Sequence, residues 1–206
     1  MQRTWLAPAP GKGLAVESEV VSHWRATQAQ GRRVAVGRRL LSSDGPMVLV
    51  VTFADDMAAL DELRRRNLSD AEFLAHGAKV ASLLREPPRT YVFENVLAAP
   101  RAPNTAIGIA AIAFPAPGKE RQIVSILEEF TRGSQAAGVA VGLWRRVFSS
   151  DGPGVMLSTR YTDLAEFDRV RKERAQITRE AAMAVSELSR APIAQRVTET
   201  ILPLSA

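Results

Sequence analysis

The pentapeptide Ser42-Ser43-Asp44-Gly45-Pro46 decides the fold, because it occurs twice in the chain. The same five residues return at 149–153, which is 107 positions later (149 − 42). An Arg-Arg pair followed by two apolar residues precedes each copy, at 38–41 and at 145–148. A repeated turn with matched flanking residues indicates that a whole domain has been duplicated.

The same spacing extends well beyond the turn. Pro-Ala-Pro-Gly-Lys at 8–12 reappears at 115–119, and single identities continue in the first copy from Ser18 to Arg64. A gapless register over about 55 residues is typical of internal duplication.

The end of each repeat keeps a similar register, but the offset falls to 105, as in Val92 and Val197. We therefore predict two repeats, 1–99 and 105–206, joined by a linker at 100–104. Proline and polar residues make that short segment suitable as a linker.

Each repeat is predicted to have the element order β-α-β-β-α-β. Proline and glycine end the first strand and begin the first helix, and Gly31 or Gly138 ends that helix. The repeated pentapeptide forms a hairpin loop, because Asp and Gly tolerate positive φ. The predicted strands are 2–8, 32–42, 47–54 and 89–98, then 105–114, 139–149, 154–161 and 195–203; the first helices are 12–30 and 119–136.

The second helix is expected to differ between the copies. Asp55-Asp56 and Thr162-Asp163 offer N-caps at its start. Ser69-Asp70-Ala71-Glu72 has the sequence of a capping box, which predicts that a new helix begins there in the first copy and runs to Arg85. In the second copy we expect one continuous helix from Leu164 to Arg190.

The strands are apolar on both faces, since Met47 to Val51 and Ile107 to Phe114 show no polar alternation. Strands of this kind are buried on both sides. We therefore expect the bare face of one sheet to pack against that of the other, face to face, which closes a barrel-like core.

These features together resemble the dimeric α/β barrel superfamily. The resemblance rests on the β-α-β-β-α-β order, the Pro-Gly-Lys entry to the first helix, the Ser-Asp-Gly-Pro hairpin and the stretch 87–94 that leads into the last strand. Within the superfamily the chain is similar to the NIPSNAP-like and antibiotic-biosynthesis-monooxygenase-like branches, in tandem form. The resemblance implies an α+β fold of two ferredoxin-like units.

The function implied by this resemblance is less specific than the fold. The superfamily includes cofactor-independent monooxygenases, haem-degrading enzymes, isomerases and members without known activity, so the fold does not choose among them. We expect a protein that binds or transforms a small apolar or aromatic molecule without metal or nucleotide. The alternative is a non-catalytic protein of oligomer assembly or interaction.

The composition excludes several classes of chemistry. The chain has no cysteine, which excludes disulfides, thiolate catalysis and cysteine-ligated metal clusters. Two histidines cannot form a three-histidine zinc site. Phosphate-loop, dinucleotide-binding, zinc-protease and nucleophile-elbow motifs are absent from the sequence. We therefore predict no metal and no cofactor.

The length, charge and hydropathy of the sequence allow predictions about its partners and its location in the cell. The 206 residues lack an apolar run long enough for a membrane span, and the first residues do not resemble a signal peptide. We expect a cytoplasmic protein without a membrane partner. The net charge is +5, but the basic residues are dispersed, and the strand Met47 to Val51 lacks the aromatic residues of RNA-recognition motifs. We therefore expect no nucleic-acid partner.

The candidate catalytic pair comes from an asymmetry between the repeats. The helix that carries Ile126 and Phe130 in the second copy carries Glu19 and His23 at the same positions of the first. Residues four apart on a helix can meet. One interpretation is a ligand cleft between helix and sheet, where His23 exchanges a proton and Glu19 sets its tautomer. The other is a slightly rotated helix, with Glu19 in solvent and His23 at the edge of an ordinary core.

Three further residues are candidate ligand contacts: His76, Trp24 and Tyr91. His76 lies in the second helix, where some haem-degrading relatives have a functional histidine; a surface histidine is the alternative. Trp24 is otherwise a packing residue, and Tyr91 could offer a phenol to a pocket. The expected partners are a small apolar ligand and either a second copy in a homodimer or the sibling repeat within the chain.

Overall fold

A computed structural model describes residues 1–40, 45–100, 105–148 and 152–204. The first three residues of each pentapeptide, at 42–44 and 149–151, lie outside the described residues, as do residues 101–104 of the predicted linker. Gly45 and Gly152 are described, and both have the positive φ expected of them, 81° and 76°.

The described chain is α+β, with strands and helices in the order that the two repeats predict. The strands of the first half are β1 (Gln2–Leu6), β2 (Val34–Arg39), β3 (Val48–Thr52) and β4 (Arg89–Leu97); those of the second are β5 (Ile107–Pro115), β6 (Ala140–Phe148), β7 (Gly154–Tyr161) and β8 (Ser189–Leu202). The helices are α1 (Gly13–Ala29), α2 (Met57–Ser69) and α3 (Ala71–Ala81), then α4 (Glu120–Ala136), α5 (Leu164–Glu173) and α6 (Ala175–Glu187).

Contacts divide the chain into two compact units. The first comprises 1–90 and 200–206. Its central strand β3 pairs antiparallel with β1 and with β2, so that Val50 lies opposite both Thr4 and Val36. Its core is an aliphatic cluster into which α1 and α3 pack, formed by Leu6, Val16, Val20, Val34, Val36, Val48, Val50, Val80 and Leu202.

The second unit comprises 91–199. Here the strand order is β8-β5-β7-β6-β4, and every pairing is antiparallel. Most of the apolar residues of β5 are buried as the sequence predicted, and Ile109 and Ile112 are both less than 10% exposed, whereas Ala111 and Phe114 are half-buried. The core cluster contains Ala113, Ile123, Leu127, Leu143, Val155 and Val185.

Two strands contribute residues to both units. Arg89 and Thr90 of β4 belong to the first unit, where the Thr90 hydroxyl is 3.1 Å from that of Thr4, and the rest of β4 belongs to the second. The chain returns to the first unit at Thr200, so that Leu202 is buried in the core of the first unit. The repeat boundaries 1–99 and 105–206 stay a prediction. Repeats are defined by similarity of sequence, whereas these two units are defined by contacts between residues, so the units do not test the boundaries.

Local geometry recurs at the spacing of the sequence repeat. Gly31 and Gly138 both have positive φ at the ends of α1 and α4, at 82° and 80°. Asp56 and Asp163 are extended N-caps whose carboxylates accept hydrogen bonds from the backbone N–H three residues on. The predicted caps at these two positions are therefore confirmed.

The expected continuous helix from Leu164 to Arg190 is wrong. The helix is interrupted at Arg174, which separates α5 from α6, and it ends at Glu187. The interruption coincides with a hydrogen bond from the Arg174 guanidinium to the Ser134 hydroxyl of α4, and it leaves both segments with a buried valine, Val170 in α5 and Val185 in α6. In the first copy the predicted new helix after Asp70 is confirmed, although it ends at Ala81 rather than Arg85.

Strand β8 is longer than predicted, since it begins at Ser189 and contains Pro192. Proline lacks a backbone N–H and is tolerated in a strand where the ladder is irregular. The pairing of β5 with β8 has such irregularities between Ile112 and Pro115, opposite this proline.

In the described part of the chain, no helix is long and apolar enough to cross a membrane.

Candidate functional site

The two histidines of the chain meet in the first unit. The rings of His23, on α1, and His76, on α3, are stacked, with centroids 4.0 Å apart and planes 7° from parallel. Residues 53 positions apart in sequence are brought together because both helices pack into the same core, through Val20 on α1 and Val80 on α3. The sequence named both histidines but did not predict that they touch.

The position of His23 on α1 explains this contact. Val16, Val20 and Thr27 are the buried residues of α1, and they form the stripe that faces the core. His23 lies on the flank of that stripe, where the helix meets α3 rather than a cleft against the sheet. Phe130 occupies the equivalent position of the second repeat, 107 residues later.

Aromatic residues surround the His23 ring. The Trp24 ring lies 5.2 Å from it at 83°, and the Phe73 ring 5.4 Å at 62°, both edge-on. Trp24 and Phe73 also contact each other at 6.1 Å. Edge-to-face packing of this kind is favourable for aromatic rings. The cluster of His23, Trp24, Phe73 and His76 is called the histidine cluster below.

The cluster is a poor environment for positive charge. Burial lowers the pKa of His23 from 6.5 to about 4, with smaller contributions from His76 and Arg32 and an opposing one from Asp70. Burial also lowers the pKa of His76. The charge of Lys79 lowers it further, whereas the carboxylate of Glu19 raises it. Both imidazoles are therefore neutral at pH 7.

His23 has a buried nitrogen without a hydrogen-bond partner. Its Nε2 is shielded from solvent and makes no hydrogen bond to any part of the chain that the structure describes. A buried polar atom in this state costs about 1–3 kcal/mol. A neutral imidazole nitrogen of this kind can bond to a ligand that supplies the missing partner.

Glu19 lies one turn before His23 but is paired elsewhere. Its carboxylate oxygen Oε1 is 2.6 Å from Nζ of Lys79 on α3. Glu19 is half-buried, with 29% of its side chain exposed, whereas Lys79 is 63% exposed. The ion pair therefore joins α1 to α3 beside the histidine cluster, and Glu19 acts on His76 through its charge.

Tyr91 belongs to the second unit, where it contacts Arg146. The guanidinium carbon of Arg146 lies 5.4 Å from the Tyr91 ring centre and 5.4 Å from that of Phe114. Arg146 is only 6% exposed, whereas its neighbour Arg145 is exposed and pairs with Glu94. In the second copy the Arg-Arg pair thus has one arginine inside and one outside, as alternation along a strand requires, whereas Arg38 and Arg39 of the first copy are both half-buried.

Among the grooves on the described residues, two are open clefts beside a helix. One, of about 620 Å³ in the second unit, is lined by Glu94, Asn95, Val96, Glu120, Arg121, Val124, Ser125, Glu128 and Arg145. The other, of about 530 Å³, follows α1 in the first unit along Ser18, Val21, Ser22, Arg25, Ala26 and Ala29. Neither is lined by a candidate catalytic or ligand-binding residue of the sequence analysis. In the described ranges no three His, Cys, Asp or Glu residues are grouped to hold a metal.

Sequence reasoning missed the partners that complete the histidine cluster. Phe73, Lys79 and Asp70 all come from α3 or its cap, and Asp70 both caps the helix and lies near His23. The signal that could have found Phe73 and His76 is their spacing of three residues, which places them on one face of α3.

Comparison with known proteins gives a fold and no family. No family model matches the chain, and no curated protein matches it. Solved structures do match the chain, in fold. A candidate monooxygenase from Fusobacterium nucleatum subsp. nucleatum has a TM-score of 0.74 at 10% identity, over 99% of this chain and 92% of that one. An anthrone oxidase-like protein has a TM-score of 0.64 at 10% identity, over 97% and 90%.

A third similar structure specifies the class of fold. It is a ferredoxin-fold protein of Listeria monocytogenes related to antibiotic biosynthesis monooxygenases, with a TM-score of 0.50 at 7% identity, over 97% of this chain and 94% of that one. The structural neighbours are therefore ferredoxin-like proteins of the antibiotic-biosynthesis-monooxygenase type. At such low identity the likeness is one of fold, and activity has to be argued from the site.

Proposed function

We propose that the protein binds a small aromatic or apolar molecule at the histidine cluster and transforms it as a cofactor-independent monooxygenase does, without metal or nucleotide. The observation that carries the proposal is the unpartnered Nε2 of His23 within an aromatic surround. A small-molecule role of this kind is supported by the neighbours described as a monooxygenase, as anthrone oxidase-like and as related to antibiotic biosynthesis monooxygenases.

The proposed chemistry starts with proton transfer to His23. Because its imidazole is neutral at pH 7, Nε2 is able to accept a proton from an acidic C–H or O–H of the bound molecule. The imidazolium that forms lies beside the new anion, which offsets the cost of charging a buried ring. The anion then transfers its electrons to dioxygen and forms a carbon–oxygen bond to a peroxide, which takes up the proton. Loss of water from that peroxide leaves a carbonyl, so that CH2 and O2 become C=O and H2O and the substrate supplies all the electrons.

The other cluster residues have supporting roles in this proposal. Trp24 and His76 form the surface against which a flat ligand packs. Glu19 neutralises Lys79, which keeps an uncompensated cation away from the two rings. Tyr91 is proposed as a ligand contact of the second unit only, through the phenol that lies against Arg146.

Tandem duplication is part of the same proposal. It is supported by the sequence offset and by the matched glycine conformations and helix caps described above. In the second repeat Phe130 replaces His23, so we propose that only the first repeat keeps the reactive site. Face-to-face packing of the sheets, the NIPSNAP-like assignment, homodimer formation and a cytoplasmic location stay predictions.

The test uses anthrone and a panel of related tricyclic aromatics, because one structural neighbour is an anthrone oxidase-like protein. We expect an aromatic ligand to raise the melting temperature of the wild type, and anthrone to be oxidised faster than in buffer. His23→Phe, which restores the residue of the second repeat, should abolish both effects. Glu19→Gln should weaken them, and Ser22→Ala, on the outer stripe of α1, should retain them.

The outcome that contradicts the site is equal ligand response in the wild type and His23→Phe. Absence of any response in the wild type would favour the alternative, a non-catalytic interaction protein. That alternative has an observation of its own, because the helices expose large apolar side chains, among them Leu68, Leu74, Ile177 and Met183.

A further inference from the structure

The stacked geometry of the histidine pair is suited to two neutral rings. At a centroid distance of 4.0 Å the rings are in van der Waals contact over their faces. Two imidazolium rings in the same arrangement would place like charges at this distance, which strongly disfavours the doubly protonated state. The stack therefore couples the protonation of His23 to that of His76.

His76 also restricts the orientation of the His23 ring. Trp24 and Phe73 meet that ring at 83° and 62°, so they contact it by edges. His76 is nearly parallel to it, at 7°, and stacks on one of its faces. Removal of the His76 ring would open a gap as large as an imidazole next to His23.

Each histidine of the stacked pair is influenced by one positively and one negatively charged side chain. Arg32, which follows α1, and Asp70, the N-cap of α3, act on His23 in opposite directions. Glu19 of α1 and Lys79 of α3 act on His76 in opposite directions and are paired with each other. Burial is the largest cause of the lowered pKa of His23, and the partner imidazole is the next.

We propose that His76 is a positioning residue for His23, whose stacked ring fixes the plane of the His23 imidazole and prevents the pair from holding two protons. What this means for ligand binding rests on the proposed function: the neutral pair presents Nε2 of His23 to a protic aromatic ligand in one fixed orientation. The effect of His76 on the titration of His23 does not depend on any ligand.

The experiment is a titration of the histidine side chains by NMR. The chain contains only two histidines, so His23→Phe and His76→Phe assign both ring signals directly. His76→Phe keeps an aromatic ring in the stack and removes its charge, whereas His76→Ala removes the ring. Ser22→Ala is the control, because Ser22 is an exposed, uncharged residue of α1 and is not among the groups that act on either histidine.

We expect the pKa of His23 to rise by about one unit in His76→Phe, the size of coupling at which two sites titrate as a pair. It should rise further in His76→Ala, towards the ordinary value of 6.5, because the ring then gains water. Ser22→Ala should leave the His23 curve in place. An identical His23 curve in the wild type, His76→Phe and His76→Ala would overturn the proposal.

Binding of the aromatic panel at pH 7 separates this inference from the proposed function. If His76 positions His23, His76→Phe should retain affinity and His76→Ala should lose at least about tenfold, the change that corresponds to one unfilled aromatic contact. A wild type that binds no aromatic compound contradicts the proposed function, while the titration still decides the role of His76. Full affinity in His76→Ala would contradict the positioning role.

Discussion

Gln28 and Gln135 lie 107 positions apart and make the same pair of hydrogen bonds. In each case the side-chain Nε2 donates to two backbone carbonyl oxygens at 2.7 or 2.8 Å. One acceptor begins the next strand, and the other lies just after a strand that contributes to both units. The acceptors are Val34 and Pro203 for Gln28, and Val141 and Ala98 for Gln135.

Replacement of either glutamine by alanine should destabilise the protein. Each change leaves two carbonyls without their donor, so we expect a loss of about 1–3 kcal/mol in the free energy of unfolding. Urea denaturation measures the loss. Gln30→Ala, an exposed residue at the end of the same helix, should change little, and an equal effect of Gln28→Ala and Gln30→Ala would contradict the role assigned to these bonds.

Leu202, at the end of β8, stabilises the core of the first unit. Leu202 is 5% exposed and packs with Val16, Val20 and other aliphatic residues of that core. Leu202→Ala should therefore cost about 2–5 kcal/mol, as large-to-small changes in a core do. Leu68→Ala, at a site 58% exposed, is the control with the same change in side chain. Equal denaturation midpoints for the two variants would show that Leu202 is not held in the core.

Replacement of glycine by alanine should lower the stability of the protein at one position and raise it at another. Gly154 is close to the buried guanidinium of Arg146, and a Cβ there would lie 3.0 Å from Nε. Because Arg146 is packed against two aromatic rings, we expect Gly154→Ala to cost about 1–3 kcal/mol. Gly77 in α3 has nothing within 4 Å of its Cβ position, so Gly77→Ala should stabilise by about 1 kcal/mol through helix propensity.

Thermal and urea denaturation of both variants give the comparison, with Gly133→Ala as a second helix control because its Cβ position is equally open. Stability of Gly154→Ala at or above that of the wild type would show that the Arg146 guanidinium moves aside at little cost.

Most of the element order could be predicted because it rests on local chemistry. The repeated proline and glycine positions end elements wherever they occur, and the positive φ of Gly31 and Gly138 has the same cause in both repeats. The break at Arg174 could not be predicted, because neither proline nor glycine marks it and it coincides with a tertiary hydrogen bond to Ser134. Local propensity gives no information about such a contact.

The candidate site shows the same limit. The sequence identified His23 because a polar residue replaces Phe130 on an apolar face. It could not pair His23 with His76, since the relative rotation of α1 and α3 is set by how Val20 and Val80 fill the core. It also paired Glu19 with His23 by spacing alone, whereas the structure gives Glu19 a stronger partner in Lys79.

The histidine cluster should make the protein sensitive to acid. The pKa of His23 is about 4 in the folded chain against 6.5 for an ordinary histidine, which we take for the unfolded chain. Between these values the unfolded chain binds more protons, so its free energy falls relative to the folded chain as the pH is lowered. The contribution of His23 to stability is therefore complete above pH 6.5 and is lost as the pH falls towards 4.

Melting temperatures at pH 7, 6, 5 and 4 test this expectation in the wild type and in His23→Phe. Glu166, whose pKa is lowered by its hydrogen bonds from Thr162, also loses stabilising contacts in acid, so the informative quantity is the difference between the two proteins. The wild type should lose more stability than His23→Phe on acidification, because the phenyl ring has no proton to bind. Ser22→Ala should follow the wild type, since it keeps both histidines. Parallel curves for the wild type and His23→Phe would mean that the His23 ring is solvated well enough to protonate as freely as in an unfolded chain.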